Sequence, residues 1–100
     1  MPALNSQQRK YLRAQAHHLD ALVIIGKQGV TDGLVRSVAE VLDAHELLKI
    51  RFNEFKDQKD ELLDEITRRT GADLVGIIGH VAILYRQHPD EEKRKIVLPE

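Results

Sequence analysis

The chain contains no cysteine, which excludes disulfide bonds, thiolate catalysis and cysteine-based zinc sites. It also lacks an apolar run approaching the length of a membrane-spanning helix, and its first residues lack the apolar core of a secretory signal. We therefore expect a cytoplasmic protein without a membrane partner. The length of 100 residues, with 42% hydrophobic and 31% charged side chains, is typical of one soluble globular domain.

Acidic residues are absent from the first 19 positions, although the whole chain has a net charge of −1. Arg9, Lys10 and Arg13 lie in this segment, and the acidic residues gather later, mainly within 54–73 and 90–92. A near-neutral net charge argues at first against a nucleic-acid partner, but binding needs local positive potential rather than a positive net charge of the whole chain. The charge distribution therefore permits an RNA-binding surface.

The first predicted helix begins after Asn5, which can cap it together with Gln8 at the third helical position. The helix is expected to run to about Leu19. Its inner face is formed by residues at helical spacing, namely Gln8, Leu12, Ala16 and Leu19. Basic residues form an i, i+4 line on another side, consisting of Arg9, Arg13 and His17. Such a line is commonly a solvated face, but no acidic residue balances it here, which favours a functional role.

Hydrophobic periodicity predicts the element order α-β-α-β-α-β-β. After the first helix come a strand at 22–25, a helix at 31–44, a strand at 47–53, a helix at 58–70, and strands at 74–78 and 81–85. Asp57 is the expected N-cap of the third helix and Gly71 its C-terminal stop, while Gly79-His80 predicts a type II′ hairpin turn.

This order predicts a single α/β domain with a mixed four-stranded sheet. Strands joined by a helix should run parallel, and the last hairpin should add an antiparallel strand. The second and third helices should share one face because their crossovers have the same hand. The side on which the first helix packs is left open. We expect a compact core over about 4–86 and a polar tail over 87–100, in which 96–98 forms either a short edge segment or a docked tail.

The loop Gly26-Lys27-Gln28-Gly29 between the first strand and the second helix is the most informative part of the chain. Its glycines allow a sharp turn, and its N–H groups, the following helix start and Lys27 together favour phosphate. A nucleotide-binding P-loop is excluded by the spacing and by the missing Mg²⁺-binding hydroxyl, and a dinucleotide fingerprint would need three glycines. What remains is G-x-x-G, with which KH-type modules clamp a nucleic-acid backbone. A plain structural turn is the alternative.

The second predicted strand alternates, with Leu48, Ile50 and Phe52 inward and Lys49 and Arg51 outward. This pattern predicts a polar, basic sheet face, and it adds Lys49 and Arg51 to the candidate RNA-binding residues. The carboxylates of the third helix are interpreted as an exposed acidic face. No histidines have a recognisable metal-binding or catalytic spacing, so we expect no metal, no cofactor and no enzymatic activity.

Five segments carry a resemblance to a known family: LNSQQRKYLR (4–13), AHHL (16–19), IGKQG (25–29), HELLKI (45–50) and IIGHVAILYR (77–86). In this order they are similar to the YhbY family of stand-alone CRM domains, the chloroplast RNA splicing and ribosome maturation domains. The similarity covers nearly the whole chain, from Leu4 to Pro99.

The resemblance implies an α-β-α-β-α-β-β fold similar to the C-terminal domain of initiation factor three, with RNA bound by the G-x-x-G loop. Bacterial stand-alone members associate with precursors of the large ribosomal subunit, and plant relatives occur in group II intron splicing factors. Gln28 takes a position where many relatives have a small polar residue such as asparagine. The low net charge departs from the basic character typical of the family.

We therefore predict an RNA-binding assembly factor for the large ribosomal subunit, acting as a monomer on ribosomal RNA or precursor particles without a small-molecule substrate. The residues expected to contact RNA are Gly26, Lys27, Gln28, Gly29, Arg9, Lys10, Arg13, Lys49 and Arg51. The alternative is a protein-interaction adaptor without direct RNA contact, which would use the acidic third helix.

Overall fold

A computed structural model describes residues 3–100. Its helices and strands follow the predicted order: α1 (Ser6–Ala16), β1 (Ala21–Ile25), α2 (Asp32–His45), β2 (Leu47–Phe52), α3 (Lys59–Thr70), β3 (Asp73–Ile78) and β4 (Val81–Tyr85). Single 3-10 turns occur at Lys56–Gln58 and Glu91–Lys93. None of the helices within residues 3–100 has the length and apolarity needed to cross a membrane.

The strands form one mixed four-stranded sheet in the order β1-β2-β4-β3. β1 pairs in parallel with β2, and β4 pairs antiparallel with both β2 and β3. Gly79 has φ 60° in the β3–β4 turn, whereas His80 has no positive φ, as a type II′ turn requires. The predicted mixed α/β fold is therefore confirmed.

One face of the sheet packs against α2 and α3, as the shared hand of the two crossovers predicts. The inward residues of β2, including Ile50 and Phe52, meet Val38 and Leu42 of α2 and Ile66 of α3 in the main core cluster. Arg69 of α3 also bonds Asp32 of α2 at 2.6 Å. Both helices are thereby held over the same face of the sheet, α2 over β1 and β2 and α3 over β3.

The first helix packs on the opposite face, against β3, β4 and β2. Leu12 and Ala16 lie there in a second apolar cluster with Leu47, Ile83 and Tyr85 of the sheet. The capping box is formed as predicted, with Asn5 Oδ1 accepting from Gln8 N at 2.8 Å and Gln8 Oε1 accepting from Asn5 N at 3.0 Å. The sheet is thus covered on both faces, but α1 covers only part of its side.

Two predicted helix boundaries are wrong. α1 ends at Ala16 and not near Leu19, because the chain forms i→i−3 bonds of the 3-10 type there: His17 N donates to Ala14 O, and Leu19 N donates to Ala16 O. Leu19, predicted on the inner face of this helix, is instead 39% exposed. Asp57 does not cap α3, because it lies within a 3-10 turn, and Gln58 takes the cap position without a side-chain bond. The predicted stop at Gly71 is correct, with φ 74°.

The C-terminal segment contains no strand within 87–100, and it docks onto the face that carries α1. Ile96 and Leu98 pack against the second apolar cluster. Glu46, which follows α2 and is only 1% exposed, accepts hydrogen bonds from the backbone N–H groups of His88, Lys95 and Ile96. A carboxylate at the end of α2 thereby holds a segment more than 40 residues away in sequence.

Candidate nucleic-acid interface

The loop between β1 and α2 is closed by a hydrogen bond from Gly29 N to Gly26 O, 3.0 Å long. Lys27 and Gln28 are the two central residues of this turn, and both are exposed. Their N–H groups have no hydrogen-bond partner within residues 3–100. The tip therefore presents two N–H donors, one ammonium group and one amide to the solvent, which are suitable ligands for a phosphate.

The two glycines of the loop have different roles. Gly29 has φ 69°, and a Cβ there would lie 3.4 Å from the ring of Phe55, so this position needs glycine for its backbone and has little room. Gly26 has no positive φ, and a Cβ there would have no neighbour within 4 Å. The sharp turn predicted from both glycines depends on Gly29, while Gly26 leaves open space beside the loop.

The start of α2 offers less positive potential than its dipole suggests. Thr31 caps the helix by accepting a bond from Leu34 N at 3.0 Å. Asp32 then places a carboxylate in the first turn, and Arg69 binds it at 2.6 Å. Asp32 and Glu65 together raise the pKa of Arg69 above its ordinary value. The helix start is therefore already occupied by a carboxylate, and Lys27 supplies the free positive charge of the loop.

Arg13, Lys49 and Arg51 lie together on the sheet face that carries α1, and we call these three residues the basic sheet face. Lys49 pairs with Ile83, which in turn pairs with Gly76 across β4 and β3. The side chain of Arg13 lies over Gly76, with Cδ 3.4 Å from the place that a Cβ would take. The fold thus brings a helix residue and two strand residues to one surface.

The outward direction predicted for Lys49 and Arg51 is correct, but their exposure differs. Arg51 is exposed. Lys49 is half-buried, because the chain leaving α1 passes over it, and its Nζ donates to Leu19 O at 3.0 Å. The expectation of an uncovered basic face therefore holds for Arg51 and only in part for Lys49. Within residues 3–100 no carboxylate forms an ion pair with either side chain.

The remaining candidates lie on α1. Arg9 precedes Arg13 by one turn and is half-buried, while Lys10 is exposed. His17 and His18 follow the helix, with their rings 5.2 Å apart in an edge-to-face arrangement. The described part of the chain has no ion pair involving Arg9, Lys10 or Arg13, so these cations are available to an external anion.

Lys59 was not among the predicted site residues, although it lies at the same edge of the sheet as the loop. Its Nζ donates to Gly79 O at 2.6 Å and lies 3.1 Å from His80 Nδ1. A lysine in the first turn of a helix opposes the dipole, and this mismatch is the signal that could have marked it. Glu54 brings an opposing charge to this edge, since its N–H donates to Ile25 O.

Among residues 3–100, no three His, Asp or Glu side chains gather where they could hold a metal ion. Burial raises the pKa of Tyr85 to about 12, with a further contribution from Glu46, and raises the pKa of Asp73. Both residues lie at the far end of the sheet from the G-x-x-G loop.

The chain is a small α/β domain with a mixed four-stranded sheet and helices on both of its faces. Its lysine-tipped G-x-x-G loop and its basic sheet face are suited to anionic polymers. A model of the CRS1/YhbY (CRM) domain family matches residues 4–86. The chain belongs to this family.

Similar proteins have names that refer to RNA. The chain is 37% identical over 100 residues to a protein of Haemophilus influenzae named RNA-binding protein, covering 99% of this chain and 98% of that one. It is 32% identical to a protein of Bacillus subtilis named probable RNA-binding protein YqeI, covering 96% and 99%. The solution structure of hypothetical protein SAV1595 from Staphylococcus aureus, described as a candidate RNA-binding protein, has a TM-score of 0.76 at 32% identity and covers 96% and 99%.

Proposed function

We propose that this protein binds RNA through the G-x-x-G loop and the basic sheet face, and that it acts by binding rather than by catalysis. Its target is precursor RNA of the large ribosomal subunit, to which it binds as a monomer in the cytoplasm during assembly. The names of the relatives support RNA as the binding partner, and the resemblance to the family supports a ribosomal target.

The observation that carries the proposal is the convergence of unpaired cations from separate parts of the chain. Lys27 lies two residues after the end of β1, Arg51 is paired with Ile24 of that strand, and Arg13 reaches the sheet from α1. These residues make no ion pair within residues 3–100. Structural cations commonly neutralise a neighbouring carboxylate, whereas a group of unpaired cations favours an external polyanion.

The first test replaces Lys27 and Gln28 together with Asp. Both side chains are exposed at the tip of the turn, so we expect the fold to remain intact while RNA affinity falls by more than tenfold, on the order of 1.4 kcal/mol. Fluorescence anisotropy with a large-subunit ribosomal RNA fragment measures the affinity. The matched control is Lys93→Asp with Val97→Asp, which changes the charge equally at exposed positions of the docked tail. Equal losses in the two variants would show a general charge effect and contradict a role for the loop.

The salt dependence of binding tests the number of phosphate contacts. If roughly five cations contact phosphates, the log–log slope should be about −3.5, taking ~0.7 per contact on single-stranded RNA. Lys27→Ala should reduce the magnitude of the slope by ~0.7 and weaken binding to different RNA sequences about equally. An affinity that barely responds to salt, or that survives changing Lys27, Lys49 and Arg51 together, would rule out this surface.

Sedimentation of a cell lysate on a sucrose gradient tests the ribosomal target. We expect the protein to migrate with precursors of the large subunit and much less with mature ribosomes. Recovery only at the top of the gradient, at low salt and after crosslinking, would contradict the assembly role. The protein-interaction adaptor predicts instead that pure RNA does not bind and that charge reversal on α3 releases the protein from its complexes.

A further inference from the structure

Three large aliphatic side chains are exposed on the sheet face that carries α1. Leu22 is 60% exposed, Ile24 50% and Ile78 64%. They belong to β1 and β3, the two edge strands of the sheet. Scattered exposed apolar residues are common on protein surfaces, so their arrangement has to decide whether they form a site.

Two of them lie in one row that crosses all four strands. Ile24 pairs with Arg51, Arg51 with Val81, and Val81 with Ile78. Three strand spacings make this row roughly 14 Å long. We call Ile24, Arg51, Val81 and Ile78 the open row. It is the last row on this face before the sheet edge where the G-x-x-G loop begins.

The open row is left uncovered because α1 packs on the next row and on the rows after it, further from the G-x-x-G loop. The next row contains Lys49, Ile83 and Gly76, where Ile83 is 1% exposed and the side chain of Arg13 lies on Gly76. The open row is therefore bordered by Lys49 and Arg13 on one side and by the Lys27 loop on the other. Its own charged member is Arg51, and it contains no carboxylate.

An apolar strip with cations on both sides fits one class of RNA segment better than others. In a duplex the base faces are stacked inside, so a helix would offer phosphates to the cations and nothing to the aliphatic side chains. In an unpaired segment the phosphates can follow the cations while the bases turn their apolar faces to the sheet. The guanidinium plane of Arg51 can stack on the face of a base.

We infer that the open row receives unpaired bases, so that the substrate class of the proposed site is single-stranded RNA with its phosphates on Lys27, Arg13 and Lys49. This inference rests on the proposed RNA-binding function and specifies the nucleic acid that the site takes. The bases lie against Ile24, Val81 and Ile78, and specificity is low because aliphatic side chains read no base edge.

The test compares the intact chain with the double variant Ile24→Thr and Ile78→Thr. Threonine keeps the β-branched shape that suits a strand and replaces a large exposed apolar group with a small polar one. The matched control is Val97→Thr, at a residue that is 85% exposed in the docked tail. Affinity is measured by fluorescence anisotropy on an unstructured oligoribonucleotide and on the same strand annealed to its complement, and a melting curve checks that each variant is folded.

We expect the intact chain to bind the single strand more tightly than the duplex. The double variant should lose about tenfold in affinity for the single strand, near the low end of the range measured when a base loses an aromatic stacking partner. Its affinity for the duplex, and all affinities of the control, should stay within about twofold.

The outcomes separate the two hypotheses. If the intact chain binds neither single strand, duplex nor ribosomal RNA, the proposed function fails. If it binds RNA but prefers the duplex, or if the double variant keeps full affinity for the single strand, RNA binding stands and the inference is overturned. In the last case the exposed aliphatic residues would be assigned to a protein partner.

Discussion

Glu46→Gln should destabilise the protein far more than its polar character suggests. Glu46 has φ 65° and is 1% exposed, and its carboxylate accepts hydrogen bonds from three backbone N–H groups. The distances are 2.7 Å to His88 N, 2.6 Å to Lys95 N and 3.0 Å to Ile96 N. Glutamine keeps the size and the backbone conformation, but it has one acceptor oxygen instead of two and adds N–H donors that face other donors.

The expected magnitude follows from these contacts. Hydrogen bonds to a charged group contribute about 1.5–3 kcal/mol each, and the change loses the charge and at least one bond. The loss is limited because the tail can detach and regain conformational entropy of about 1–2 kcal/mol per residue. We therefore expect the free energy of unfolding to fall by about 2–3 kcal/mol, which for a domain of this size lowers Tm by roughly 10–20 °C.

Urea denaturation measures the loss, and hydrogen exchange at the amides of Lys95 and Ile96 shows whether the tail is released. Glu40→Gln is the matched control, since Glu40 is an exposed glutamate on α2. In a chain that ends at Gln87, Glu46→Gln should cost less than about 1 kcal/mol, because the tail bonds are already gone. An equal cost with and without the tail, or unchanged protection of the two amides, would refute the reasoning.

Further predictions concern the loop and the buried phenol. Gly29→Ala should lower the free energy of unfolding by about 1–2 kcal/mol, because φ is 69° and the new Cβ meets Phe55. Gly26→Ala should be near neutral, and thermal melts of both variants check this difference. Burial raises the pKa of Tyr85 from 10.0 to about 12, so the folded state favours the neutral phenol, and the resulting stability is present below pH 10 and lost as pH rises to about 12. Tyr85→Phe should therefore remove up to about 3 kcal/mol of alkaline destabilisation, while Tyr11→Phe should keep it, as measured by urea titrations across this range.

Local features of the chain were predictable because their physical causes lie within a few residues. The Asn5–Gln8 capping box, the Gly71 helix end and the Gly79-His80 turn each depend on adjacent side chains and backbone angles. The shared face of α2 and α3 was also predictable, since the handedness of crossovers constrains helices between parallel strands. That rule does not apply to α1, which precedes β1, so its packing side could not be read from the pattern.

The candidate site was only partly predictable for the same reason. Alternation placed Lys49 and Arg51 on the outward face, but it contained no information about the chain leaving α1 that covers Lys49. The pattern also gave no reason to pair Glu46 with the tail, because its three partners are 42 to 50 residues away. Asp57 was misassigned because a 3-10 turn, set by packing rather than by capping propensity, precedes α3.

By itself the sequence determined the element order, the inward residues of β2, the G-x-x-G loop and the family. These depend on periodicity, turn chemistry and short spacings, all of which are local. Only the tertiary structure decided on which face of the sheet α1 lies, and therefore which cations lie together on that face. It left Ile24, Arg51 and Ile78 uncovered in one row because α1 is too short and too far along the sheet to reach them. Exposure depends on neighbours that are distant in the chain, and no local pattern encodes it.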